Sequence, residues 1–272
     1  MIKELTELGP YMDFIGGFAA DPDYSEPMIS TEENFRCNLL RALERPDDRV
    51  LGVFEDGAMT GLFVFEILEE DRYAEMLVGL SRSETADYEI ADWLRANIPG
   101  YRADFVFNPR NDKLVSMLKT LGAEFEPEQQ RMCLADAGVS GDTEGIEPLS
   151  DRYNEQYVAI HSRDCYWTGE RIVAEGDIFS VLLAVDNGTA VGYIDFTHGW
   201  DENEIFDLQV NEDHRRKGWG RKLVIKAIEM NRPNGLMLMA DVDNAAALAL
   251  YEALGFVKIE GQNSRMASWT VG

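Results

Sequence analysis

Arg215-Arg216-Lys217-Gly218-Trp219-Gly220, followed by Asn244-Ala-Ala-Ala-Leu-Ala-Leu-Tyr251-Glu-Ala-Leu-Gly255-Phe256, is the stretch on which the fold of this chain turns. Just before it, Glu204-Ile-Phe-Asp-Leu-Gln-Val210 reads as a strand. Just after Gly220, Arg221 to Met230 reads as a helix with an apolar stripe at Leu223, Val224, Ala227 and Ile228. The glycines therefore fall at a strand-to-helix turn. A helix N-terminus leaves N–H groups unpaired and carries roughly half a positive charge, so it attracts anions. Gly218 and Gly220 let the backbone approach such an anion closely. Arg215, Arg216, Lys217, Arg221 and Lys222 gather five of the chain's 25 basic residues at this point, against a net charge of -25. The lysine-serine/threonine ending of a P-loop and the third glycine of the dinucleotide fingerprint are both missing.

Past Pro233-Asn-Gly235, the run Leu236 to Asp241 reads as a buried strand. Asp243 or Asn244 can cap a helix with Ala247, Leu250 and Leu254 on its apolar face, and Gly255 stops it. This ordered array resembles the GNAT N-acetyltransferase superfamily over residues of about 145 to 270. The resemblance implies acetyl-CoA as acyl donor, and no metal is expected because the sequence offers no ligand pattern for one. It implies that Arg215, Arg216, Lys217, Gly218, Trp219, Gly220 and Arg221 surround the pyrophosphate. The backbone of Leu208, Gln209 and Val210 would pair with the pantetheine arm, Asn244 would contact that arm, and Tyr251 would stand near the thioester sulfur.

Acyl transfer to an amine needs a neutral nucleophile, a stabilised oxyanion and a proton for the departing thiolate. Tyr251 suits the last task. For the base, Glu204 occupies a position that some members of the resembled family use, and Asp207 is the alternate. Strand alternation sets these two on opposite faces unless a bulge intervenes. The aromatic-polar segment from His161 to Ile172 resembles the family's acceptor-side stretch, with Asp164 and Trp167 as candidates.

Sliding the chain on itself shows a duplication. Gly57 and Gly61 map to Gly188 and Gly192 in similar hairpin phrases, and Asn111, Leu121 and Gly122 map to Asn244, Leu254 and Gly255. The expected fold is α+β: two tandem GNAT-like domains, 1–140 and 141–272, each a mixed, mostly antiparallel twisted sheet flanked by helices. The first copy lacks the basic glycine turn, reads Ser81-Arg-Ser-Glu-Thr-Ala86 in its place, and has Leu118 where the second has Tyr251. Glu84, Asp87 and Glu89 suit a bare helix start and would repel a pyrophosphate. The first copy is expected to bind no cofactor and to complete the second copy's cleft as an intramolecular pseudo-dimer.

At 272 residues and 45% hydrophobic content the chain suffices for two cores. It shows neither a secretory leader nor an apolar run near the roughly 20 residues of a membrane span, so a cytoplasmic protein is expected. Cys37, Cys133 and Cys165 lack paired spacing, and His161, His198 and His214 lie far apart with no ligand pattern. Cys165 with His161 four residues earlier is a weaker nucleophile reading, because direct transfer needs no covalent intermediate. The acidic balance disfavours nucleic acid and anionic membrane and favours a cationic amine, on a small molecule or peptide, as acceptor. A non-catalytic acyl-CoA sensor, or an acyltransferase for longer acyl-CoA, are the alternatives.

Overall fold

Both halves of the chain turn their first long hairpin in the same way. Asp56 and Gly57 have φ of 49° and 85°, and Asn187 and Gly188 have φ of 51° and 80°. Two successive left-handed residues give the turn whose twist matches paired strands, and Asp-Gly and Asn-Gly adopt it readily. The computed structural model describes all residues except 20–25, 27–28, 30–34, 136–137, 164–166 and 175.

The elements run β1 (Ile2–Glu4), α1 (Met12–Ala19), β2 (Asp48–Glu55), β3 (Ala58–Leu68), β4 (Tyr73–Ser81), α2 (Glu84–Asn97), β5 (Arg102–Phe107), α3 (Asp112–Thr120), β6 (Glu124–Phe125) and β7 (Gln129–Leu134). They continue with β8 (Ile146–Pro148), α4 (Asn154–Ile160), α5 (Gly169–Ala174), β9 (Phe179–Asp186), β10 (Thr189–Thr197), β11 (Glu202–Val210), α6 (Trp219–Asn231), β12 (Gly235–Asp241), α7 (Ala245–Glu252), β13 (Phe256–Lys258) and β14 (Arg265–Thr270).

Two seven-stranded sheets result, ordered β1-β2-β3-β4-β5-β14-β6 and β8-β9-β10-β11-β12-β7-β13. In each, the hairpin strands pair antiparallel, while β4 runs parallel to β5 and β11 parallel to β12. The strand orders are the same with β14 and β7 exchanged, so the first unit is Met1–Gln130 with Glu260–Gly272 and the second is Arg131–Ile259. The division therefore differs from 1–140 and 141–272 at the two terminal strands. Each of these is short, and its apolar alternation fits either sheet, so nothing in its own sequence says which sheet it joins.

In the second unit, period-two alternation splits the sheet's side chains between two cores. Ile194, Phe196 and Ile205 face α6, whose Leu223, Val224, Ala227 and Ile228 are at most 1% exposed. Tyr193, Val181 and Leu183 face the opposite way, with Tyr153 and Tyr157 beside α4 and Ile172 of α5. The first unit is built likewise, with α2 and α3 over one face and Leu62, Val64 and Val78 in the core of the other. Its α2 starts at Ser83, whose hydroxyl accepts from the Ala86 N–H. Asp87, in the first turn of this helix, is buried, and burial pushes its carboxyl up to about 7.

Candidate active site

A bulge decides where the two candidate carboxylates point. Between β10 and β11, Asp195 pairs with Asp207 while Phe196 pairs with Ile205, so Phe206 is the extra residue. Directly opposed residues share a face, and the extra residue resets the alternation. Glu204 and Asp207 therefore lie on the same face, the one that also carries Tyr193 and Asp195. Burial, opposed by the Arg131 guanidinium and reinforced by Glu202, raises the Glu204 carboxyl to about 7. Arg131 reaches Glu202 at 2.5 Å, and the Glu204 N–H donates to the Thr197 hydroxyl at 2.9 Å.

The same strand supplies an open edge. The β11–β12 ladder covers only Glu202–Ile205 against Gly235–Leu238, although β11 runs on to Val210 and β12 to Asp241. Leu208, Gln209 and Val210 pair with β10 on their other side. A Cβ on Gly192 would meet the Gln209 carbonyl oxygen at 2.7 Å, so this glycine admits the close approach of β11.

At the end of β11, Arg215 donates from Nε to the Val210 carbonyl at 2.9 Å, and Arg216 and Gly218 adopt φ of 62° and 92°. Gly218 caps α6 in this left-handed state, with no side chain on the first N–H groups of the helix. Such alternation turns successive N–H groups toward one point and makes an anion cradle. Arg215, Arg216 and Lys217 are exposed around it. Lys222 is engaged elsewhere, 2.7 Å from Asp142, and the Trp219 ring packs inward on Gly145. The residues present thus fit a pyrophosphate through backbone and arginine rather than through the Trp219 ring. Gly220 has room for a Cβ, whose nearest neighbour would be Leu250 at 3.5 Å, so packing within the protein does not require a glycine there.

Asn244 caps α7 by accepting from the Ala247 N–H at 3.1 Å. Tyr251 is 7% exposed and meets Phe256 edge-on at 5.7 Å. Burial, then the charge of Asp207, pushes its phenol well above the usual range, so at neutral pH it carries a hydroxyl that can donate a hydrogen bond. Trp167 lies on Phe179 with ring centroids 5.0 Å apart. Asp164 and Cys165 lie outside the described residues.

A polar group that sequence spacing did not reveal lies beside Asp207. His161 ends α4, with Nδ1 2.8 Å from the Ser162 carbonyl and Nε2 2.9 Å from Asp195 Oδ2. The Tyr157 hydroxyl donates to Asp195 Oδ1 at 2.9 Å. The Tyr193 hydroxyl donates to Asp207 Oδ2 at 2.5 Å, and its ring stacks on His161 at 4.9 Å. Ligand atoms of His161, Asp195 and Asp207 all lie within 4.8 Å of one another, a spacing that could hold a metal ion. Both ring nitrogens face oxygens that only accept, which favours the doubly protonated ring, and that form has no lone pair for a metal. Burial works against the charge, but the Asp195 hydrogen bond, the Ser162 carbonyl and the nearby carboxylates raise the His161 pKa. Asp195 and Asp207 lie 34 and 46 positions after His161 in sequence, and the register of β10 on β11 together with the packing of the end of α4 on β10 joins the three.

Residues 146–256 match the Acetyltransferase (GNAT) family. The L-amino acid N-acyltransferase MnaT of Escherichia coli (strain K12) is 29% identical over 113 residues, 39% of this chain and 63% of that protein. The [ribosomal protein bS18]-alanine N-acetyltransferase of the same strain is 42% identical over 85 residues, 30% of this chain and 57% of that protein. The chain thus spans less than two thirds of either relative. Among solved structures, a tandem GNAT protein from the clavulanic acid biosynthesis pathway superposes with a TM-score of 0.61 at 15% identity, covering 100% of this chain and 98% of its own. A GCN5-related N-acetyltransferase from Sphaerobacter thermophilus gives 0.66 at 14% identity, covering 100% and 95%. At such identities these two show the fold alone, a tandem GNAT fold. Among the described residues no helix is long and apolar enough to cross a membrane.

Proposed function

With residues 146–256 belonging to the acetyltransferase (GNAT) family, we propose that this chain is an N-acetyltransferase whose second unit moves an acetyl group from acetyl-CoA to a primary amine by direct attack. The observation that carries this reading is that one stretch of β11 and its end bring together the left-handed Gly218 cradle, the unladdered edge of Leu208 to Val210 and, within the field of Asp207, the neutral phenol of Tyr251. Acetyl-CoA would be held through its pyrophosphate by the α6 N-terminus with Arg215, Arg216 and Lys217, and through its arm by the β11 edge. It supplies the activated acetyl group.

This chain's residues then move the protons. Glu204, pushed up to about 7, accepts one from the incoming ammonium near neutral pH. The Tyr251 hydroxyl donates one to the departing thiolate. The named relatives, which act on an L-amino acid and on a ribosomal protein's alanine, support an α-amine as the first acceptor to try. The first unit, with Leu118 at the Tyr251 position and no cradle, is proposed to bind no acyl-CoA.

The test is release of free CoA thiol with acetyl-CoA and a panel of amines, namely L-alaninamide, an alanine-initiated peptide, spermidine and glucosamine. Amine-dependent release that Tyr251→Phe lowers about 100-fold in kcat supports the reading, since general acid catalysis is worth about 10²–10⁴. Binding of acetyl-CoA without amine-dependent release from any of them would make the chain a sensor.

A further inference from the structure

The two units provide an internal comparison for the acceptor side. The β3–β4 pairing carries the same bulge as β10–β11: Val64 pairs with Val78 and Phe65 with Met76, so Leu77 is the extra residue. Matching bulge to bulge sets Glu75 at the place of Glu204, Val78 at that of Asp207, Val64 at that of Asp195 and Leu62 at that of Tyr193. Glu75 keeps its carboxyl and, like Glu204, is raised to about 7 by burial, with Glu66 adding to it. The other three positions are apolar in the first unit, and all three residues are 0% exposed. A half-buried carboxylate at the Glu204 position therefore accompanies the fold in both copies. The Tyr193, Asp195 and Asp207 group occurs only in the copy that has the glycine cradle.

That group carries an unbalanced charge. Asp195 is 0% exposed and, although burial lifts it to about 6, it is ionised at neutral pH against His161 and the Tyr157 hydroxyl. His161 is 4% exposed, with its two ring nitrogens facing Asp195 and the Ser162 carbonyl, an arrangement that favours the imidazolium. Around the ring stand Asp195 and Tyr193 from β10, Asp207 from β11 and Tyr157 from its own helix, with Arg163 and Glu170 exposed nearby. Two carboxylates and one imidazolium leave one negative charge, and of the three groups only Asp207 is half-exposed.

Resting on the acetyltransferase reading, we propose that Asp207 is the seat for the acceptor's ammonium group and that His161, Asp195 and Tyr193 are positioning residues that hold its carboxylate in place. The acceptor class is then a cationic primary amine. The bulge sets Glu204 on the same face of β11 as Asp207, so the carboxylate proposed to take the proton lies on the face where the ammonium is seated.

Charge logic supplies a test that a purely structural role would fail. Without His161, Asp195 and Asp207 confront each other within 4.8 Å, and carboxylates that close share a proton, so the seat loses its charge. Removing Asp195 as well restores it. Calorimetry with L-alaninamide, on protein saturated with CoA, is expected to show affinity at least 10-fold weaker in Asp207→Asn and His161→Gln, and largely recovered in His161→Gln/Asp195→Asn. CoA affinity is expected to stay constant across the series.

Nitrogen-15 NMR of the chain's three histidines, with His161→Gln as assignment, is expected to show both His161 nitrogens protonated at pH 7. A neutral His161, no rescue in the double variant, or a parent that retains CoA but not L-alaninamide each overturns the seat. Tight zinc binding that shifts the His161 signals would make it a metal centre instead. Failure of the parent to bind acetyl-CoA would overturn the acetyltransferase reading itself.

Discussion

Glu204 and Glu75 show how much a single side chain depends on where its strand bulges. Both sit in an alternating strand, both are lifted to about 7 by burial, and only Glu204 lies in the unit that has the glycine cradle. A base must be deprotonated to act, so with Glu204 near 7 the acid limb of kcat/KM should rise through about pH 7. Glu204→Gln should lose that limb and at least 10-fold in rate at pH 8, where the parent base is ionised. Stopped thiol-release assays from pH 5.5 to 9 read this directly, and an unchanged limb would move the base to Asp207. At this scale the sequence was legible for the left-handed turn at Gly218 and the exposed basic residues around it, which local order sets, while the role of Tyr251 is a proposal. It was silent on His161, Asp195 and Tyr193, because their association depends on strand register rather than on spacing.

Elements carry the duplication more plainly than residues do. Asn111 and Asn244 both cap a helix, accepting from Leu114 N–H at 3.2 Å and Ala247 N–H at 3.1 Å. Gly122 and Gly255 follow those helices with φ of 76° and 87°. The cap accounts for Asn244 in the fold whether or not it also touches the cofactor. Replacing either asparagine by alanine should cost about 1 kcal/mol of stability. A contact of Asn244 with the cofactor arm predicts that Asn244→Ala alone also weakens acetyl-CoA binding, and equal binding in the two variants would leave it a cap only. The turn, strand and cap signals that made these elements legible are all short-range. The bulge at Phe206 had no such signal, and with it went the relative facing of Glu204 and Asp207.

For the whole molecule, the exchange of terminal strands matters most. β7 brings Met132 into the second unit's core and Arg131 to Glu202, while β14 brings Ala267 and Trp269 into the first unit's core. A fragment of residues 131–259 should therefore fold and bind acetyl-CoA, whereas 141–272 should aggregate, because it leaves an interior place in the sheet unfilled and adds an unpaired strand. Circular dichroism and gel filtration of the two fragments decide it, and a well-folded 141–272 would contradict the strand exchange. The tandem architecture was legible from the two hairpins and two helix caps. The exchange was not, since β7 and β14 are short and equally able to complete either sheet.

The central claim is one working acyl-CoA site, in the second unit. Calorimetry of acetyl-CoA with the intact protein and with Gly220→Glu tests it most directly, because Gly220 has space for a side chain and a carboxylate there confronts the cradle. The account predicts one site in the parent and none in the variant, with both proteins melting at similar temperatures. Two sites, or a single site that survives Gly220→Glu, would contradict it.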